Sequence, residues 1–124
     1  MFSLTSRGIK RIHLVISVAG GDLQDRAAIQ LILHYVEFGM LPEQAVPVPR
    51  FATTHHTGSF GQDRSKLSSL QVNVRVDEPV RDELKKRGHV LTTTRGGVGG
   101  VNMLFLDPKS NVAFGAGPAA GKVD

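Results

Sequence analysis

The stretch Arg11-Ile12-His13-Leu14-Val15-Ile16-Ser17-Val18-Ala19-Gly20-Gly21-Asp22-Leu23-Gln24 decides how the chain is read. Its first part is short, β-branched and apolar, and it ends in two glycines, which predicts a strand over 11–18. Ala19-Gly20-Gly21 breaks that strand, and Asp22 is placed to cap a helix. The helix is expected over 23–38. Ala28, Leu31, Ile32 and Tyr35 form one stripe at i, i+3, i+4 and i+7. Ile29, Leu33 and Val36 widen the stripe, leaving Asp25, Arg26, Gln30 and Glu37 for water. So wide an apolar arc predicts a helix lying on a sheet with neighbours on its flanks. Gly39 follows as the C-cap.

The same stretch has a second reading. Arg7-Gly8-Ile9-Lys10-Arg11 precedes the apolar run Ile12 to Ala19, the order of a secretory signal. His13 interrupts the run, and a buried strand through Leu14-Val15-Ile16 accounts for it equally well. A cytoplasmic and a secreted location both stay open.

Downstream, Leu41-Pro42-Glu43-Gln44-Ala45 starts a short helix with Pro42 in its first turn. Pro47 and Pro49 keep 46–50 out of helix and central strand, since each removes a donor and fixes φ. A long loop is expected over 51–69. Leu70, Val72, Val74 and Val76 alternate with polar residues, which predicts a strand over 70–76. A helix follows from Glu78-Pro79 to Arg87, with Val80 and Leu84 toward the core and Gly88 as its stop. Asp82–Lys86 and Glu83–Arg87 are spaced as i,i+4 pairs. A strand over 89–94 and a hairpin of 101–106 with 112–114 complete the core. The order predicts one α+β domain over 1–124, with 1–10 irregular and 115–124 an irregular tail.

Composition narrows the chemistry. The 124 residues include no Cys, which excludes disulfide scaffolds, Cys-ligated zinc, iron–sulfur clusters and thiol catalysis. No run of 18 apolar residues is present, so no membrane-spanning helix is expected. The formal charge of +4 permits contact with an anionic surface. The six Phe and one Tyr do not interleave with basic clusters, so nucleic-acid binding is not expected, although a small basic binding module stays an alternative.

Three clusters could carry chemistry. Gly20-Gly21 between strand and helix can present backbone N–H groups to an oxyanion, or can simply make a tight turn. Thr53-Thr54-His55-His56 could supply a Thr nucleophile with a His base, or metal ligands with His89 or His34. It could equally be a polar loop whose hydroxyls and imidazoles bond to backbone. Gly96-Gly97-Val98-Gly99-Gly100 could cradle an anion or join two strands. No cofactor and no metal are expected.

Together, several strings resemble the C-terminal part of the small subunit of the γ-glutamyltranspeptidase family. They are Gly20-Gly21-Asp22 with Gln24, Phe38-Gly39-Met40, Gln44-Ala45-Val46 and Pro49-Arg50-Phe51. His55-His56, Gly58-Ser59-Phe60, Leu84 to His89, the glycines of 96–100, Asp107-Pro108-Lys109 and Gly115-Ala116-Gly117 follow in order. The match spans about residues 12–121, and the Gly-Gly-Asp form resembles the acylase-like branch more than the branch known for glutathione. The resemblance implies part of an N-terminal-nucleophile hydrolase sandwich, layered α-β-β-α, with mixed, mainly antiparallel sheet. It implies Gly20 and Gly21 as the oxyanion hole of a γ-glutamyl transferase or hydrolase. It also implies that the nucleophile is the leading Thr of a self-cleaved chain, whose own α-amine acts as base.

This sequence departs from that pattern. No Asp-Thr-Thr-His-like start occurs among the 19 residues before Gly20, so no nucleophile is expected within this chain. Thr53 stands in the wrong place for it, and Pro47 replaces a residue that is commonly Asp or Asn. The expected ligand is a γ-glutamyl or acyl amide. An uncovered apolar sheet face implies a homo-oligomer or a separately encoded partner chain. Light scattering coupled to size-exclusion chromatography should therefore return a mass above one chain; a monomer at high concentration would refute this.

Overall fold

The computed structural model describes residues 2–5, 12–55 and 66–118. The elements run β1 (Phe2–Thr5), β2 (Ile12–Ala19), α1 (Gln24–Val36), α2 (Pro42–Ala45), β3 (Phe51–Ala52), β4 (Ser69–Asn73), α3 (Glu78–Lys86), β5 (Val90–Thr94), β6 (Gly100–Leu106) and β7 (Ala113–Ala116). They form an α+β fold with two small sheets.

The apolar run Ile12–Ala19 is an inner strand, as its buried-strand reading requires. It lies between β1 and β6 in an antiparallel sheet ordered β1-β2-β6-β7. The register pairs Leu14 with Phe105, Ile16 with Met103 and Val18 with Val101, so these six share one face. Helix α1 lies on that face. Ala27 and Leu31 are fully buried against Leu14, Ile16, Val101 and Met103, and Ala45 and Val46 of the α2 region close the cluster.

The second sheet is ordered β3-β4-β5. β4 and β5 run parallel, with α3 as the crossover that parallel neighbours require, and β3 adds an antiparallel edge. Gln30 joins the two halves. Expected to face water, it is only 8% exposed. Its Nε2 donates to the Phe51 and Arg26 carbonyls at 2.9 and 2.8 Å, and its Oε1 accepts from Phe51 N–H at 3.1 Å. A buried amide with these partners is satisfied, so an amphipathic count mistakes it for a surface residue.

Several expectations are corrected. Residues 2–5 pair with β2 instead of being irregular, and the tail's first residues, 115–116, belong to β7. Asp22 does not stand at the helix cap; it lies inside a 3-10 turn, Gly21–Leu23, that precedes α1. α1 stops at Val36, where Gly39 at φ 61° lets its N–H reach the Tyr35 carbonyl at 3.1 Å. β4 ends at Asn73 because the Asn73 Oδ1 accepts the Arg75 N–H at 2.9 Å and its carbonyl accepts the Val76 N–H at 3.0 Å. Those bonds turn the chain before Val74 and Val76 can continue the alternation. Phe51 and Ala52 form β3 at the start of the expected loop, of which 56–65 lie outside the described residues.

α3 spans its expected residues but buries none of them, and Val80 is 50% exposed. Glu83 pairs with Arg87 as its spacing implies, whereas Asp82 pairs with Lys85, one residue nearer than expected.

Leu31→Ala should lower unfolding free energy by about 2–5 kcal/mol, read from urea denaturation, because it opens a cavity in the shared core. A pH effect follows from His34. Burial, reinforced by the Arg50 charge, holds its pKa below the ordinary value of about 6.5. The unfolded chain therefore takes this proton first, so stability should be full above about pH 6.5 and fall on acidification. His34→Gln should flatten that slope in urea titrations at pH 5 and 7.

Candidate active site

β2 hands the chain to the site. Its pairing with β6 ends at Ala19 opposite Gly100, so the Gly20 and Gly21 N–H groups lie past the last rung of the ladder. Gly20 has φ 144° and Gly21 φ 55°, a backbone path that L side chains rarely follow. The Leu23 N–H donates to the Gly20 carbonyl at 3.1 Å and closes the turn into the helix. Peptide N–H groups at this end of α1 carry the positive pole of the helix.

Gly20 lines a cavity of about 910 Å³. The cavity sits where β2, β4, β5 and β7 end and β6 begins. One wall is the segment Val46–Arg50, and another is the glycine loop before β6.

Three arginines converge here from different parts of the chain. Arg50 is 7% exposed. Its Nε donates to the Val98 carbonyl at 3.1 Å and its Nη1 to the Val46 carbonyl at 2.6 Å, which ties the two walls together. Burial and the nearby Arg75 charge lower its pKa from the usual guanidinium range. Arg75, just past β4, donates from Nη2 to the Pro47 carbonyl. Arg95, just past β5, is exposed on the cavity's edge. Glu43 is the one carboxylate along the lining among the described residues.

The glycine loop is a wall of the site as well as a strand connection. Gly99 has φ 74°, and a Cβ there would stand 3.2 Å from Val18 Cγ1 and 3.3 Å from Ala27 Cβ. The absent side chain lets the loop close on β2 and α1. At Gly97 a Cβ would stand 3.4 Å from Arg50 Nη2. Asn73 Nδ2 donates to the Gly96 carbonyl at 3.0 Å and fixes the loop's start.

Of the residues singled out in the sequence, Gly20 and the loop 96–100 come together here. Thr53, Thr54 and His55 do not. Thr53 Oγ1 donates to the Ser69 carbonyl at 2.6 Å, Thr54 Oγ1 lies 3.0 Å from Ser69 Oγ, and His55 Nδ1 accepts the Ser68 N–H at 2.9 Å. These are the contacts of a polar loop held to its neighbouring strand. His56 lies outside the described residues, and no group of three His, Asp or Glu side chains among the described residues could hold a metal ion. The sequence placed Arg50 only within Pro49-Arg50-Phe51, Arg75 only as a polar position of an alternating strand and Arg95 only as the residue before the glycine run. Their numbers share no spacing, so no local pattern could have grouped them.

The chain belongs to the gamma-glutamyltranspeptidase family, whose family model matches residues 4–121. No curated protein matches it. Among solved structures it is similar to an acivicin-inhibited gamma-glutamyltranspeptidase, with 22% identity and TM-score 0.74, covering 98% of this chain and 59% of that one. A mutant gamma-glutamyltranspeptidase of Helicobacter pylori follows at 23% identity and TM-score 0.71, covering 96% and 60%. The cephalosporin acylase of Bacillus halodurans shares 22% identity at TM-score 0.68, covering 84% and 18%. The chain thus spans between about a fifth and three-fifths of these solved chains.

Gly99→Ala should cost about 1–3 kcal/mol by combining a disfavoured φ with crowding against Val18 and Ala27. Thermal unfolding read by circular dichroism checks it, and Gly39→Ala, where a Cβ meets no atom within 4 Å, isolates the φ contribution.

Proposed function

We propose that these 124 residues supply the oxyanion side of a γ-glutamyltranspeptidase-like amidohydrolase site, with the attacking Thr supplied from outside them. The supporting observation is the Gly20-Gly21 turn, which leaves the sheet ladder and takes positive φ, with Gly20 lining a cavity. In this reading the Gly20 and Gly21 N–H groups stabilise the negative oxygen of a tetrahedral intermediate formed at a γ-glutamyl or acyl amide. The hydroxyls of Thr53 and Thr54 are engaged with Ser69, which supports an attacking group outside these residues.

Apolar exposure on the four-stranded sheet supports a partner. Val15 pairs with Leu104 on the face opposite α1, and Leu104 is 47% exposed. Apolar surface of this kind marks an interface. Its occupant in this reading is a second chain carrying the nucleophile, as in a split enzyme, or another copy of this chain.

Purified alone, the chain should not turn over γ-glutamyl-p-nitroanilide. Mixed with a Thr-led segment of the same fold it should do so, and Gly20→Ala should slow the mixture by about 10²–10³. Robust release of p-nitroaniline by the chain alone would overturn the reading.

A further inference from the structure

α1 carries a second apolar face, where a surface helix ordinarily turns polar side chains to water. Ile29, Leu33 and Val36 are exposed there, and so are Phe38, just past the helix, and Phe51 on β3. Ile29, Leu33, Phe38 and Phe51 line a groove of about 370 Å³. Phe38 is 70% exposed at one end of it. With a fully covered aromatic ring worth roughly 150–250 Å², these five side chains offer about 500 Å² of apolar surface. Two such faces together approach the roughly 1,000 Å² that a specific interface needs.

The charges around the patch say what fits it. Arg26, Ile29, Leu33 and Glu37 follow one another at i, i+3, i+7 and i+11, a single stripe along the helix. Arg26 stands at one end, where its Nη1 donates to the Thr53 carbonyl. Glu37 stands exposed at the other end, about 16 Å along the axis. The two ion pairs among the described residues, Lys85–Asp82 and Arg87–Glu83, do not involve it. Asp25, the other acid near Arg26, lies about 100° around the helix from it. A stripe that is positive at one end, negative at the other and apolar between is complementary to itself turned end over end. Laid parallel, two copies would set like charge against like.

We propose that this face is an isologous contact between two copies of the chain, with their α1 helices antiparallel about a twofold axis. Ile29 of each copy packs on the partner's Leu33, and Arg26 pairs with the partner's Glu37. Phe38 reaches the Arg26 end of the partner's groove, where a guanidinium attracts an aromatic face. None of the contact residues named lines the Gly20 cavity, so the proposal is independent of the oxyanion reading.

The test is sedimentation equilibrium of the full chain over a range of concentrations. A mass of two copies is expected. Leu33→Asp should weaken association at least tenfold, because the substitution enters the contact twice. Glu37→Lys sets like charges together at both ends and should also weaken it at least tenfold. Combining Arg26→Glu with Glu37→Lys should recover most of that loss. Leu33 and Glu37 are exposed, so the circular dichroism of these variants should match that of the unaltered chain. Leu104→Asp, on the sheet face opposite α1, is the control and should leave association unchanged. A monomer at every concentration, or association unmoved by Leu33→Asp and Glu37→Lys, would overturn the proposal. Loss of association with Leu104→Asp instead, or no recovery in a charge-swapped chain of unaltered circular dichroism, would overturn it as well. So would a chain that stays single until a Thr-led segment of the same fold is added and loses that pairing with Leu33→Asp, because the face would then belong to the other chain. None of these readouts measures turnover, so the oxyanion reading stands or falls separately.

Discussion

The packing of α1 on the inner face of the β2–β6 pair is the contact on which the site depends. Leu14, Ile16, Val101 and Met103 present a flat apolar surface, and Ala27 and Leu31 lie directly on it. Leu31 fills the space between helix and sheet, while Ala27 is small enough to let the Gly99 loop come close. That pairing of a large and a small residue brings the end of β2, the start of α1 and the loop before β6 to one place. A bulkier residue at position 27 or 99 would separate them, because interiors are packed too densely to absorb an added methyl without movement. The geometry of the Gly20 turn is thus a consequence of core packing.

A second constraint is the burial of Arg50. A guanidinium removed from water must find hydrogen-bond partners, and this one finds carbonyls on two segments 52 positions apart, at Val46 and Val98. The segment that Pro47 and Pro49 keep out of regular structure is shaped by that bond and by Arg75. The Pro47 carbonyl accepts from Arg75. Structure and charge are joined at this point: the bonds that build the cavity wall also set positive charge along it.

The family relationship gives this arrangement a context. The chain covers only part of each solved relative, and Leu104, on the face of the four-stranded sheet opposite α1, is exposed. The flank of α1 at Ile29, Leu33 and Val36 is exposed as well. The wide apolar arc seen in the sequence is therefore half used by this chain's own sheet.

By itself the sequence determined the main elements and their order, though not β1 or β3, because strand and helix periods are local properties of neighbouring residues. The short β-branched run through Leu14 and Ile16, the stripe containing Ala28 and Leu31, the stop at Gly88 and the hairpin around Asp107 were all legible, as was Gly20-Gly21 between strand and helix. The tertiary structure alone decided which positions share a surface. It buried Gln30 against Phe51, left Val80 in water and brought Arg50, Arg75 and Arg95 to one cavity. The reason is that burial and charge proximity arise from contacts between residues 20 to 50 positions apart, and no periodicity within a segment encodes such distances.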